Sequence, residues 1–232
     1  MSDPGQLDRT FQIIMKHMTE SGQAPHYTEI ASELDVPVEE GRKALHELFS
    51  LGIPAWLFPN TDYIASFPPF NNLPTQYRIT IDGQQKWFAQ WGFESLAVSW
   101  LFPGKLVQID APCLDCGSPI RVEMKDGGVQ NAEPEGIMGY VSVPFRDWRN
   151  DLPYAWSTMN LFRSEEHVRN WSGFKADTEE GINQLSDVAG LFSINLFTRR
   201  LDPDYVSHMQ EYRMELIGAL KEMGSFWQPP EQ

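Results

Sequence analysis

The chain has only two cysteines in 232 residues, Cys113 and Cys116, too few for a disulfide framework. Basic residues are scarce as well, with 18 Lys and Arg against 32 Asp and Glu and a formal net charge of −14. A field of that sign repels phosphate backbones and acidic lipid surfaces, so nucleic acid is not expected as a partner. No stretch reaches the roughly 18 to 20 apolar residues of a membrane helix. Met1-Ser2-Asp3-Pro4-Gly5 lacks the basic and apolar regions of a signal peptide, which predicts a cytoplasmic location and no membrane partner.

Several common catalytic signatures are missing too. No glycine-rich loop precedes a helix with Walker or dinucleotide spacing, and neither a Gly-x-Ser-x-Gly elbow nor a His-Glu-x-x-His helix occurs, which argues against nucleotide chemistry and the two commonest hydrolase arrangements. The five histidines, His17, His26, His46, His167 and His208, are scattered through polar or helical contexts and read as solvated side chains.

What is present is a globular composition, 41% hydrophobic and 12% aromatic with eight Trp, enough to build a sizeable core. Leu7, Phe11, Ile14, Met15 and Met18 recur at helical spacing, with Ser21-Gly22 ending the first helix. Thr28 is the expected N-cap of a second helix, and a third runs from Val38 to Leu51, ended by Gly52. Five prolines among aromatics in residues 53–74 suit edge strands and turns, the wing of a winged-helix lobe. Tyr77–Ile81 alternates as a strand before the Asp82-Gly83 turn.

The apolar run from Trp87 to Phe102 is expected as one buried helix hinging two lobes. Strands are expected at Leu106–Ile109, Ile120–Met124, Val129–Ala132 and Tyr140–Val143, with a hairpin turn at Asp126-Gly127-Gly128. Ser157–Phe162 reads as a further strand, Ser164 as the cap of a helix ending near Trp171, Ile182–Phe197 as containing an amphipathic helix, and Asp204–Met223 as the last helix. Residues 1–5 and 229–232 read as loose ends. The expected fold class is α+β: an N-terminal winged-helix-like helical lobe, residues 1–80, then a mixed or antiparallel β-sheet lobe with flanking helices, residues 81–232. The first lobe carries Arg9, Lys16, Arg42, Lys43 and Arg78 against ten acidic residues, a further argument against DNA binding.

Two local features bear chemistry. Pro112-Cys113-Leu114-Asp115-Cys116-Gly117 places two thiols at a spacing that suits one metal ion, like half a zinc ribbon. A closed zinc site takes four ligands, so Cys113 and Cys116 would need others, and a tight turn of two thiols is the simpler reading. A soft or borderline metal ion is the one cofactor suggested. Glu94 lies among Trp91, Phe93, Leu96 and Ala97, where desolvation would raise its pKa and suit it to general acid chemistry.

The order of these motifs over roughly residues 25 to 200 resembles the alkylmercury lyase family. It rests on the helical start, Trp87-Phe88-Ala89-Gln90-Trp91-Gly92-Phe93-Glu94-Ser95-Leu96, the turn Cys113–Pro119, Glu133-Pro134-Glu135-Gly136, and the segment Phe162–Trp171. The resemblance implies a carbon–mercury bond broken by two cysteine thiolates that take the metal and an aspartate that passes a proton to the carbon. Glu94 stands at the aspartate, Trp91 at the first thiol, and Trp156 or Ser157 at the second. Cys113 matches a family cysteine outside the reaction, and Cys116 has no counterpart. The resemblance therefore implies a divergent lyase or related enzyme acting on a small molecule, with Glu94 and Ser157 catalytic and Trp91, Phe93 and Trp156 binding substrate. The alternative is a non-catalytic ligand- or metal-binding protein on the same fold.

Overall fold

The computed structural model describes residues 3–229, apart from the side chains of Pro4 and Arg149. Three helices come first: α1 (Pro4–Ser21), α2 (Tyr27–Leu34) and α3 (Val38–Ser50). The apolar stripe of α1 buries Phe11, Ile14, Met15 and Met18 against Ile30 and Leu34 of α2 and Leu45 and Leu48 of α3, within one core. Gly22 ends α1 with φ 76°, and a Cβ there would stand 2.6 Å from the Lys86 carbonyl oxygen, so only glycine fits. The cap of α2 is His26 rather than Thr28. His26 is extended, its ring accepts the Thr28 N–H, and the Glu29 carboxylate accepts the His26 N–H at 2.7 Å, completing a capping box two residues earlier than expected. The expected looseness of residues 3–5 gives way to helix from Pro4, while residues 1–2 and 230–232 lie outside the described residues.

The Pro- and aromatic-rich stretch supplies β1 (Trp56–Leu57), β2 (Ile64–Phe67) and β3 (Phe70–Asn71). These join β4 (Arg78–Ile81), β5 (Gln84–Ala89), β6 (Val107–Pro112), β7 (Pro119–Lys125) and β8 (Gly128–Glu133) in one antiparallel sheet of order β1-β2-β3-β5-β4-β6-β7-β8. Strand β4 straddles residue 80 and pairs with β5 on one side and β6 on the other.

The run from Trp87 to Phe102 is not one helix. Its first part belongs to β5, followed by the short α4 (Gly92–Ala97) and a 3-10 turn at Val98–Leu101. Asp82 and Gly83 have φ of 52° and 73°, a tight turn that folds β5 onto β4 with Trp87 opposite Ile79. Pairing with β4 and β3 outweighs the helical spacing of the aromatics.

A second, three-stranded antiparallel sheet has β9 (Met138–Tyr140) between β10 (Asn160–Phe162) and β11 (Ile182–Gln184). Ser157 is not on a strand: it is the last residue of α5 (Leu152–Ser157), whose first turn is capped by Asp151. Ser164 caps α6 (Glu165–Asn170) as expected. Residues 182–197, expected to contain an amphipathic helix, hold α7 (Leu185–Leu191) between β11 and the start of α8 (Asn195–Thr198). Ile182–Gln184, ahead of that helix, pairs with β9.

Helix α9 (Tyr205–Glu222) returns to α1, where Tyr205 stacks on Phe11 with ring centroids 4.5 Å apart. Its own N-cap, Asp204, makes no side-chain capping bond. Asp8 of α1 substitutes, its Oδ1 accepting the N–H groups of Val206 at 2.6 Å and Ser207 at 3.0 Å. No helix among the described residues is long and apolar enough to cross a membrane.

Candidate functional site

Strand β5 delivers Trp91 in extended backbone at the N-cap of α4, and α4 then turns Phe93 and Glu94 into the core. The Gly92 N–H donates to the Met159 carbonyl at 2.9 Å. A Cβ on Gly92 would stand 2.7 Å from Tyr77 Oη and 2.9 Å from that carbonyl, so the approach needs glycine. Tyr77 completes the clasp: its hydroxyl donates to Asn160 Oδ1 at 3.0 Å and accepts the Leu161 N–H at 3.1 Å. Asn160 in turn donates to the Ser157 carbonyl at 3.1 Å. The segments carrying Trp91 and Trp156, distant in sequence, are thereby brought together.

Glu94 is 1% exposed, and neither carboxyl oxygen has a hydrogen-bond partner. Burial pushes its pKa up to about 8, and the nearby Arg200 charge only partly opposes this. At neutral pH the side chain is therefore mostly the uncharged acid, holding a proton where no polar group competes for it. Arg200 is itself buried, with Nε donating to the Leu196 carbonyl at 3.3 Å and Nη1 donating to the Pro68 carbonyl. Sequence reading missed Arg200 because it lies in the turn just after α8, beside Arg199, and nothing in the local pattern says which of the two arginines turns inward. Tyr77 and Asn160 were missed because their bond joins residues far apart in the chain.

The other expected site residues divide around this acid. Trp91 stacks on Trp56 with centroids 6.3 Å apart, and Trp156 meets Trp148 edge-on at 6.0 Å. Both indole N–H groups, like Gln90 Oε1, are buried without partners, an unusual concentration of unmet hydrogen-bonding capacity. Phe93, Trp156 and Met159 line an apolar cavity of about 20 Å³, closed by Trp148, Leu220 and Trp227. Neither Glu94 nor Trp91 is on its wall. Ser157 does not meet Glu94 through a hydrogen bond: its Oγ donates to the Tyr154 carbonyl at 2.6 Å, inside its own helix.

Cys113 and Cys116 form a separate feature beyond β6. Both are free, Cys113 buried and Cys116 exposed. The Ser118 hydroxyl, then the Ser118 N–H, hold the Cys116 thiol below its usual range, with smaller contributions from Cys113 and Arg163. Among the described residues no group of three or more His, Cys, Asp and Glu side chains is assembled to hold a metal. The histidines serve local structure, His17 on Glu33, His46 on Asp62, His26 as a cap and His167 on Ser164.

An antiparallel sheet preceded by three helices and followed by a second, three-stranded sheet with flanking helices makes up the fold. The crystal structure of the mercury-bound form of MerB2 shares it, with a TM-score of 0.61 over 84% of this chain and 90% of that one at 19% identity. The sequence profile of the alkylmercury lyase family, MerB, matches residues 70–197, and the chain belongs to that family. Curated alkylmercury lyases of Bacillus cereus and Clostridium butyricum are each 25% identical to it over 155 residues, 66% of this chain and 66% of theirs. Arg200 lies just past the profile match.

Proposed function

We propose that the chain is a divergent member of the family in which Glu94 transfers a proton to a small, largely apolar substrate, and that it is not an efficient organomercurial lyase. The observation that carries this reading is Glu94 itself: a fully buried carboxyl with unpaired oxygens and a pKa near 8, suited to deliver a proton at neutral pH. With Trp91 at the first thiol position and Trp156 or Ser157 at the second, and the only thiols in the Cys113–Cys116 turn, the step that abstracts a soft metal has no ligands at this site. Trp91, Trp156 and Phe93 would instead wall the substrate. Ser157 would join catalysis only by leaving the Tyr154 carbonyl.

The test is twofold. Incubation of the full chain with phenylmercury and excess thiol should release no benzene above the thiol-only rate; release that survives Cys113→Ser and Cys116→Ser would overturn the reading. Carbon-13 NMR of labelled glutamate should place the Glu94 midpoint near 8, and a midpoint in the ordinary carboxylate range would remove the proton donor.

A second reading, a non-catalytic ligand-binding protein on the same fold, is favoured by the small size of the cavity beside Phe93 and Trp156. Native mass spectrometry of the purified chain separates the two. A small molecule retained unchanged by both the wild type and Glu94→Gln supports binding, whereas one converted by the wild type and retained intact by Glu94→Gln supports catalysis.

A further inference from the structure

The turn that follows β6 is closed by two main-chain bonds, Cys113 N–H to the Ser118 carbonyl and Gly117 N–H to the Cys113 carbonyl, each 2.8 Å. It holds both of the protein's thiols, free and close enough for the Cys113 thiol to act on the Cys116 sulfur. The Ser118 hydroxyl and N–H act on the same sulfur, and Arg163, just beyond β10, brings positive charge to it. Arg163 is half-buried and has no carboxylate partner among the described residues. No third or fourth ligand is assembled beside the pair among those residues, so the described residues do not supply the four ligands of a tetrahedral zinc site.

We propose that Cys113 and Cys116 form a two-coordinate dithiolate site for a soft monovalent cation, Cu(I) or its analogue Ag(I). Soft thiolates select such ions, and two sulfurs complete a linear coordination shell. On binding, two S–H bonds break, two metal–sulfur bonds form, two protons pass to solvent and no electron is transferred. The resulting complex of a monovalent cation with two thiolates carries one negative charge. Arg163 and the Ser118 donors offset that charge. A divalent ion such as Hg(II) gives a neutral dithiolate and gains less from Arg163. The site shares no residue with the surroundings of Glu94, so it stands or falls independently of the proposed proton transfer.

The experiment is an anaerobic titration of the reduced full chain with Cu(I) against a chromophoric Cu(I) chelator. One Cu(I) per chain should be held against the chelator, with two protons released, and Cys116→Ser should abolish retention. Cys116 is exposed, so that variant leaves the core untouched; Cys113→Ser, at a buried position, is read only alongside an unchanged circular dichroism spectrum. Arg163→Gln should weaken Cu(I) binding by about 10- to 100-fold, the usual effect of losing an outer-shell partner, while Hg(II) binding shifts less. Copper lost entirely to the chelator, or retained as well by Cys116→Ser as by the wild type, overturns the site. Equal weakening of Cu(I) and Hg(II) in Arg163→Gln overturns the preference for a monovalent ion.

Discussion

Gly92 and Met159, 67 positions apart, are joined by a main-chain hydrogen bond of 2.9 Å, and that contact places the short helix bearing Glu94 against the segment bearing Trp156. Because Tyr77 Oη lies 2.7 Å from where a Gly92 Cβ would be, the site is held by backbone proximity that a larger residue would break. Gly92→Ala is therefore expected to destabilise the fold by about 1–3 kcal/mol through overpacking, read as a lower urea midpoint with an unchanged slope.

Tyr77→Phe tests the second half of the clasp. Losing the hydroxyl leaves the buried Leu161 N–H and Asn160 Oδ1 without that partner, an expected cost of about 1–3 kcal/mol. Hydrogen exchange should accelerate at the Leu161 amide before it does so in the large sheet. Uniform loss of protection would show that Tyr77 supports the whole fold rather than this junction.

Glu94 makes stability depend on pH in a particular direction. Its folded pKa of about 8 lies above the ordinary value of 4.5, so between those limits the folded state holds a proton that the unfolded state has released. Stability should therefore be highest below about pH 4.5 as far as this group is concerned, fall as pH rises, and level off above about 8. Glu94→Gln, which cannot ionise, should flatten that slope and be more stable than wild type at pH 8. Urea unfolding at a series of pH values measures both, and parallel curves for the two proteins would refute the assignment.

Asp8 ties the first helix to the last. Asp8→Ala removes the acceptor for the Val206 and Ser207 amides at the start of α9, with an expected loss of about 1–2 kcal/mol, as for a helix cap. The thermal midpoint should fall while the Glu94 titration stays in place, because Asp8 makes none of the contacts that set it.

Much of the architecture was legible from local chemistry. The helical stripe of α1, the Gly22 stop, the Asp82-Gly83 and Asp126-Gly127-Gly128 turns, the Ser164 cap and the last helix all follow from side-chain spacing and backbone preference within a few residues. Errors arose where pairing partners lay elsewhere in the chain. Trp87–Ala89 joined a strand because β3 and β4 were there to receive it, and Ser157 closes α5 rather than opening the strand that pairs with β9.

The same division applies to function. By itself the sequence determined that no thiol stands at Trp91, Trp156 or Ser157, that the only two are Cys113 and Cys116, and that Glu94 sits among apolar neighbours. Only the tertiary structure decided that this carboxyl is fully buried with unpaired oxygens, that Arg200 is the charge acting on it, and that the Ser157 hydroxyl is engaged within its own helix. Residue identity is a property of each position alone, whereas desolvation and charge coupling depend on what long-range folding packs around it.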